Sequence, residues 1–338
     1  MKILYLDHPE ADFLSTLLFM GLCDELGAEN VVDYPRKKSF HGEVHRYPSP
    51  YTSDPGSMPW QNWDGGDGVT APFPWMRAQE SKPWSRQEVI DRIGEFSLVI
   101  LASPRKYNGQ ALADLIQAVG RDRLPRLVMV DGEDYLDILP GALEDFRPHV
   151  VFKRELLPQV KSDVEARFHV RVEPFPFATP LEPKDPVDKD IDVLFVGGGT
   201  WPGRVEACEA LRRAFGERFV GGIGMYLKYP DYLSALARAR VAVSVRGHGF
   251  DTLRFWEIPS MPGTLLVADR QPILRRFPFE HETTALFFDN SNQLVEQVKR
   301  ALGDEPWRAR IAAAGNAWLT AHHTPRARAR QLLQASGV

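Results

Sequence analysis

The sequence predicts two Rossmann-like α/β domains, each built on a doubly wound parallel sheet, facing one another across a cleft. Three observations lead there. At 338 residues the chain is longer than most single domains. Short apolar runs alternate with amphipathic helical patterns almost from end to end, the signature of right-handed β-α-β units. A proline-rich stretch, Glu173–Asp190, is followed at once by a fresh strand and glycine turn, Ile191 to Gly199.

The strands expected are Ile3–Asp7, Leu98–Ala102, Leu127–Asp131, Val193–Gly197, Val241–Val245, Thr264–Asp269 and Ala285–Phe288. Each is a near-continuous run rich in Val, Ile and Leu, as in strands covered on both faces. Leu14, Leu18, Leu22 and Leu26 mark one helix, with Gly27 as its stop. Val205, Cys208, Leu211 and Phe215 mark another, and Trp307, Ile311, Ala314 and Trp318 a third. The expected organisation is a first domain over 1–178, a linker at 179–190, a second domain over 191–321 and a terminal helix at 322–338. Segment 47–84 interrupts the first domain. It holds seven prolines and four of the eight tryptophans, so it is read as an irregular insertion rather than helix or strand.

Composition narrows the function classes. With 43% hydrophobic and 25% charged residues, disorder is excluded. A net charge of -4 argues against bulk electrostatic capture of nucleic acid. Cys23 and Cys208 lie in helical apolar patterns and read as buried free thiols. No run approaches the ~20 apolar residues of a membrane span, and no long apolar signal region opens the chain, so a cytoplasmic protein is expected.

Ligands of open parallel sheets bind at the carboxyl ends of the strands. That rule selects Gly197, Gly198, Gly199, Thr200 and Arg204 in the second half. Glycines let a backbone approach a diphosphate, and the helix after Pro202 points its amino end at it. A surface arginine beside a plain turn is the blander reading. The rule also selects Arg246, His248 and Gly249 after the next strand, then a helix from about Thr252 to Ser260 capped by Asp251 or Thr252. Arg254 and Glu257 share a face of that helix. They form either a solvated ion pair or a site in which Arg254 takes phosphate and Glu257 accepts two ribose hydroxyls.

Residues 241–333 resemble the carboxy-terminal domain of GT-B glycosyltransferases, in the group-1 branch that includes CgeB-like spore-maturation proteins. The likeness rests on Arg254, Phe255 and Glu257, on Pro-Gly-Thr-Leu-Leu-Val-Ala-Asp at 262–269, on a strand ending at Phe288-Asp289, and on His323-Thr324 before an arginine-rich helix at 326–330. The glycine loop with Arg204 resembles the start of the same domain. The resemblance implies a hexosyltransferase-type enzyme with a nucleotide-sugar donor as substrate, an unidentified acceptor and no separate cofactor. The first glutamate of the E-x7-E pattern of many retaining members falls at Gly249, beside His248, so stereochemistry does not carry over. A GT-B-shaped epimerase or phosphorylase, or a non-catalytic nucleotide-sugar binding protein, remains the alternative.

In the first half the strand-end rule selects Asp7 and His8 as a possible base, and Asp131 with Glu133 on an acidic loop that either binds hydroxyls or is simply solvated. Arg105 is a further strand-end residue, and Trp60, Trp63 and Trp75 of the insertion are candidate acceptor platforms. The nine histidines show no ligand spacing, so no metal is expected.

Overall fold

The computed structural model describes residues 1–8, 12–43, 45–46, 69–70, 73, 75–102, 104, 108–181, 184–198, 201–225 and 227–338. The chain divides into two units. Met1–Pro176 together with Pro325–Val338 forms the first, and Phe177–Thr324 the second.

The first unit runs β1 (Ile3–Leu6), α1 (Phe13–Leu26), β2 (Val31–Asp33), β3 (His45–Arg46), β4 (Val69–Thr70), α2 (Arg86–Asp91), β5 (Leu98–Ala102), α3 (Asn108–Val119), β6 (Arg126–Asp131), α4 (Pro140–Phe146), β7 (Val150–Lys153), α5 (Pro158–Phe168) and β8 (Arg171–Pro174). Its main sheet has the order β2-β1-β5-β6-β7-β8, all parallel. Strands β3 and β4 form a small antiparallel pair, so the insertion is not wholly irregular. Strand β1 is buried at every residue, as its unbroken Ile-Leu-Tyr-Leu run requires.

The second unit runs β9 (Ile191–Gly197), α6 (Pro202–Phe215), β10 (Phe219–Ile223), α7 (Tyr229–Arg238), β11 (Ala239–Ser244), α8 (Leu253–Glu257), β12 (Leu265–Asp269), β13 (Leu286–Phe288), α9 (Ser291–Gly303) and α10 (Glu305–His322). Its sheet is parallel in the order β10-β9-β11-β12-β13. Val193, Phe195, Val241, Val243, Leu265 and Val267 form the sheet's share of a core closed by α6 and α9.

All seven expected strands are present, within two residues at each end. Besides the β3–β4 pair, the strands not anticipated are β2, β7, β8 and β10, and three of these four are edges of the parallel sheets. An edge strand pairs on one side only and needs less apolar sequence. Thus β10 tolerates Gly221 and Gly222, and β8 ends in Pro174. Both cysteines are buried and free.

The last helix, α11 (Pro325–Ser336), packs in the first unit against α1. Its Arg328 is buried and donates from Nε to the Pro176 carbonyl at 3.0 Å, while Gln331 donates to the Pro174 carbonyl at 3.0 Å. Arg326 and Arg330 both reach Glu25 of α1, at 2.6 and 2.9 Å. Helix α1 is therefore covered on more than one side, and its buried residues run continuously from Leu14 to Cys23.

Contact between α1 and α11 depends on Gly21, where a Cβ would overlap the Pro325 carbonyl oxygen. Gly21→Ala is expected to destabilise the protein by about 1–3 kcal/mol, the usual cost of overpacking. Gly94→Ala, where a Cβ meets nothing within 4 Å, should change it by less than about 0.5 kcal/mol. Urea denaturation of the two variants checks the contrast.

Candidate functional site

Chain order fixes where the second sheet opens. From β9 the chain steps outward to β10, then crosses back to place β11 on the other side of β9. The loops after β9 and β11 therefore diverge, and this switch point is where open sheets bind ligands. Helix α6 starts there with Pro202 in its first turn, and no side chain caps it at Trp201. Its first backbone N–H groups and its dipole give the site a positive end.

Arg204 is 8% exposed and works as a brace. Its Nε donates to the carbonyls of Val245 and Arg246 at 3.2 and 2.9 Å, and its Nη1 to that of Gly198 at 3.3 Å. A Cβ on Gly247 would lie 2.8 Å from Nη2, so a side chain there would make the guanidinium shift. Burial, and then the charge of Arg254, push Arg204 down to about 10, still protonated at neutral pH.

Arg254, on α8, lies over Gly197, with Nη2 3.4 Å and Nη1 3.5 Å from where a Cβ would be. Its Nε and Nη1 are buried and have no hydrogen-bond partner. Arg246 stacks between Trp201 and Phe250, 4.1 and 3.7 Å from the ring centroids, and donates to the His248 carbonyl at 3.2 Å. His248 is exposed, and the Gly249 carbonyl accepts from Gly247 N at 3.0 Å. Gly197 and Gly198 border the arginines, whereas Gly199 and Thr200 lie outside the described residues.

The ion-pair reading of Arg254 and Glu257 does not hold, because Glu257 takes its hydrogen bonds from elsewhere. Glu257 is 5% exposed and accepts from Tyr232 and Tyr229 hydroxyls at 2.9 and 3.3 Å. Burial raises its pKa, and the two phenols and Arg254 limit the rise. Tyr229 and Tyr232 open α7, three residues apart, and no strand-end rule pointed to them. The capping expectation also fails. Asp251 is buried and accepts from Phe177 N and Trp256 Nε1, and the Thr252 hydroxyl meets Ser244, so neither side chain caps α8. Asp269 ends β12 and accepts from Arg246 N at 3.1 and 3.2 Å.

In the first unit the strand-end carboxylates Asp7 and Asp131 each face a buried lysine, although one Asp7 oxygen stays buried without a hydrogen-bond partner. Asp7 accepts from Lys37 Nζ and Ser15 Oγ, both at 2.7 Å, with Lys37 and Asp7 side chains each 1% exposed. Asp131 pairs with buried Lys153 at 3.1 Å. Arg154 holds Asp134 and Glu155 and donates to the Gly132 carbonyl at 2.6 Å. The Glu133 N–H donates to Asp131, and its carbonyl accepts from Lys153. His8 is buried at the end of β1. Trp75 stacks on Phe73 at 4.8 Å, and Phe73 on Phe13 at 4.5 Å, so Trp75 plugs onto its own unit. Arg105, Trp60 and Trp63 lie outside the described residues. Among the described residues, no group of three or more His, Cys, Asp or Glu side chains is placed to hold a metal, and no helix is long and apolar enough to cross a membrane.

With this geometry in view, the comparisons agree on the fold. Residues 186–334 match the family model described as glycosyl transferase-like, so the second unit carries a glycosyltransferase-like domain. No curated protein matches the chain in sequence. Sucrose-phosphate synthase from Thermosynechococcus elongatus superposes with a TM-score of 0.56 at 13% identity, covering 99% of this chain and 98% of that one. HepE of Anabaena, solved with UDP and glucose, gives 0.59 at 12%, covering 100% and 99%. A DNA-modifying β-glucosyltransferase gives 0.52 at 12%, with both chains covered completely. The fold is GT-B: two Rossmann-like domains with parallel sheets.

Burial pushes Asp269 up to about 6, above the ~4 of an exposed carboxylate. Ionising it costs more in the folded chain than in the unfolded one. Its contribution to stability therefore falls as pH rises from about 4 to about 6 and is level above that. Asp269→Asn should remove this part of the slope, so the variant gains on the parent between pH 4 and pH 7. Denaturation midpoints at the two pH values read the difference.

Proposed function

We propose that the protein is a glycosyltransferase that binds the diphosphate of a nucleotide-sugar at the β9–β11 switch point of its second unit. The observation that carries this reading is Arg254. A guanidinium with two buried, unpartnered nitrogens sits over a glycine, beside the uncapped start of α6 and a second buried arginine. Buried donors without partners are costly, and two like charges side by side repel. An anion supplies acceptors and opposite charge to both.

In this reading Glu257, held by its two tyrosines, accepts from the ribose hydroxyls, and Trp201 offers a ring 37% exposed beside Arg246. Fixed cations and the α6 dipole stabilise the leaving nucleotide without a metal ion. UDP is the first nucleotide to test, since HepE was solved with UDP and glucose. Assignment to the CgeB-like branch, a hexose as the sugar moved and a cytoplasmic setting belong to the same proposal. Of the first-unit candidates, Asp7 and Asp131 are each committed to a buried lysine. His8 is the better candidate base, because an imidazole exchanges protons near neutral pH.

Arg254→Ala is expected to weaken UDP by about 10- to 100-fold in calorimetry, about 1.4–2.8 kcal/mol, and to leave uridine nearly unchanged. Equal losses for both ligands would remove Arg254 from the diphosphate. His8→Ala should lower UDP release from the donor by roughly 10²–10⁴-fold, with UDP affinity retained. Turnover close to that of the parent would exclude His8 as the base.

A further inference from the structure

A second feature of the same unit plays no part in that reading. A pocket of about 220 Å³ opens beside the loop after β12, walled by Phe255, Phe279 and Phe287 and bordered by Arg270, Gln271 and Arg275. Neither Arg204, Arg246, Arg254 nor Glu257 lines it.

Two of its polar groups are left incomplete. The Arg275 side chain is 9% exposed, with Nη2 3.3 Å from Asp251 and the guanidinium carbon 4.5 Å from the Phe255 ring centroid, yet its Nε is buried without a partner. Asp251 also accepts from Phe177 N at 2.8 Å and Trp256 Nε1 at 3.0 Å, so it does not depend on Arg275 alone. Gln271 Oε1 is likewise buried without a partner. A native fold seldom leaves a buried donor and a buried acceptor unmade in one small space. Arg270 adds a second guanidinium, 5.8 Å from the Phe287 ring centroid, in a half-exposed pair with Asp289 that is easily broken.

We propose that this pocket binds a small organic acid, separately from the nucleotide-sugar. Two guanidinium groups suit a carboxylate, and Gln271 Oε1 suits a hydroxyl or amine on the same molecule. Three aromatic walls distinguish the site from one for inorganic anions, since they have nothing to offer a bare phosphate. Size sets the limit. A dry cavity of roughly 150 Å³ holds benzene, so this pocket has room for one ring with a carboxylate and little more.

Titration calorimetry of the whole chain with benzoate, benzamide and acetate tests the idea. Benzoate should bind saturably and at least 10-fold tighter than either comparator, which lack the charge or the ring. Arg275→Gln should weaken benzoate at least 10-fold. Phe287→Ala truncates a wall residue that is only half-buried and should weaken it several-fold. Saturating UDP should leave benzoate binding intact. The proposal fails if benzoate binds no tighter than acetate, if UDP displaces it, or if folded variants bind it like the parent. If Arg275→Gln does not fold, Phe287→Ala decides.

Discussion

The ligand-facing end of the second sheet depends on one buried guanidinium. Arg204 joins the loop after β9 to the loop after β11 through three carbonyl oxygens, Gly198, Val245 and Arg246. Those loops diverge at the switch point, and without a common donor their carbonyls would have to find partners separately. Holding them this way leaves a permanent positive charge inside the unit, with Arg254 next to it. Evolution of a purely structural brace would favour a neutral donor, because a buried unpaired cation is expensive. The charge makes sense when an anion completes the arrangement.

The two units treat buried charge in opposite ways. In the first, strand-end carboxylates meet buried groups within the unit: Asp7 pairs with Lys37, Asp131 with Lys153, and Asp33 lies 3.1 Å from the His41 ring nitrogen. Such pairs add little net stability once desolvation is counted, but they hold side chains in one geometry. In the second, positive groups exceed their partners at the switch point, and Arg254 and Arg275 keep unpaired nitrogens. Paired charge suits a scaffold, and unpaired charge suits ligand binding.

Glycine and aromatic placement follow the same division. Gly247 packs against the Arg204 guanidinium and Gly197 lies beneath that of Arg254. Aromatic rings then set the orientation of the arginines: Trp201 and Phe250 clamp Arg246, and Phe255 flattens Arg275. Cation–ring stacking fixes a guanidinium plane without itself consuming N–H donors.

The sequence by itself determined the fold class, because strands covered on both faces must be largely apolar: β5 is so throughout, and β9 and β11 are so over Val193–Val196 and Val241–Val243. It also placed Gly197 at the end of β9, and Arg204, Arg254 and Glu257 on the helices that follow β9 and β11, since connection rules are local and directional. Three edge strands, β2, β8 and β10, escaped it, because an edge strand such as β10 with Gly221 and Gly222 needs to pair on one side only. What each charged residue is bonded to was decided by the tertiary structure alone. Glu257 is three residues from Arg254 in sequence but takes its hydrogen bonds from α7, and Asp7 takes its cation from Lys37, thirty positions away. Periodicity reports which face of an element is apolar. It carries no information about which distant side chain arrives to pair a charge, and here those arrivals separate the spent carboxylates from the unpartnered arginines.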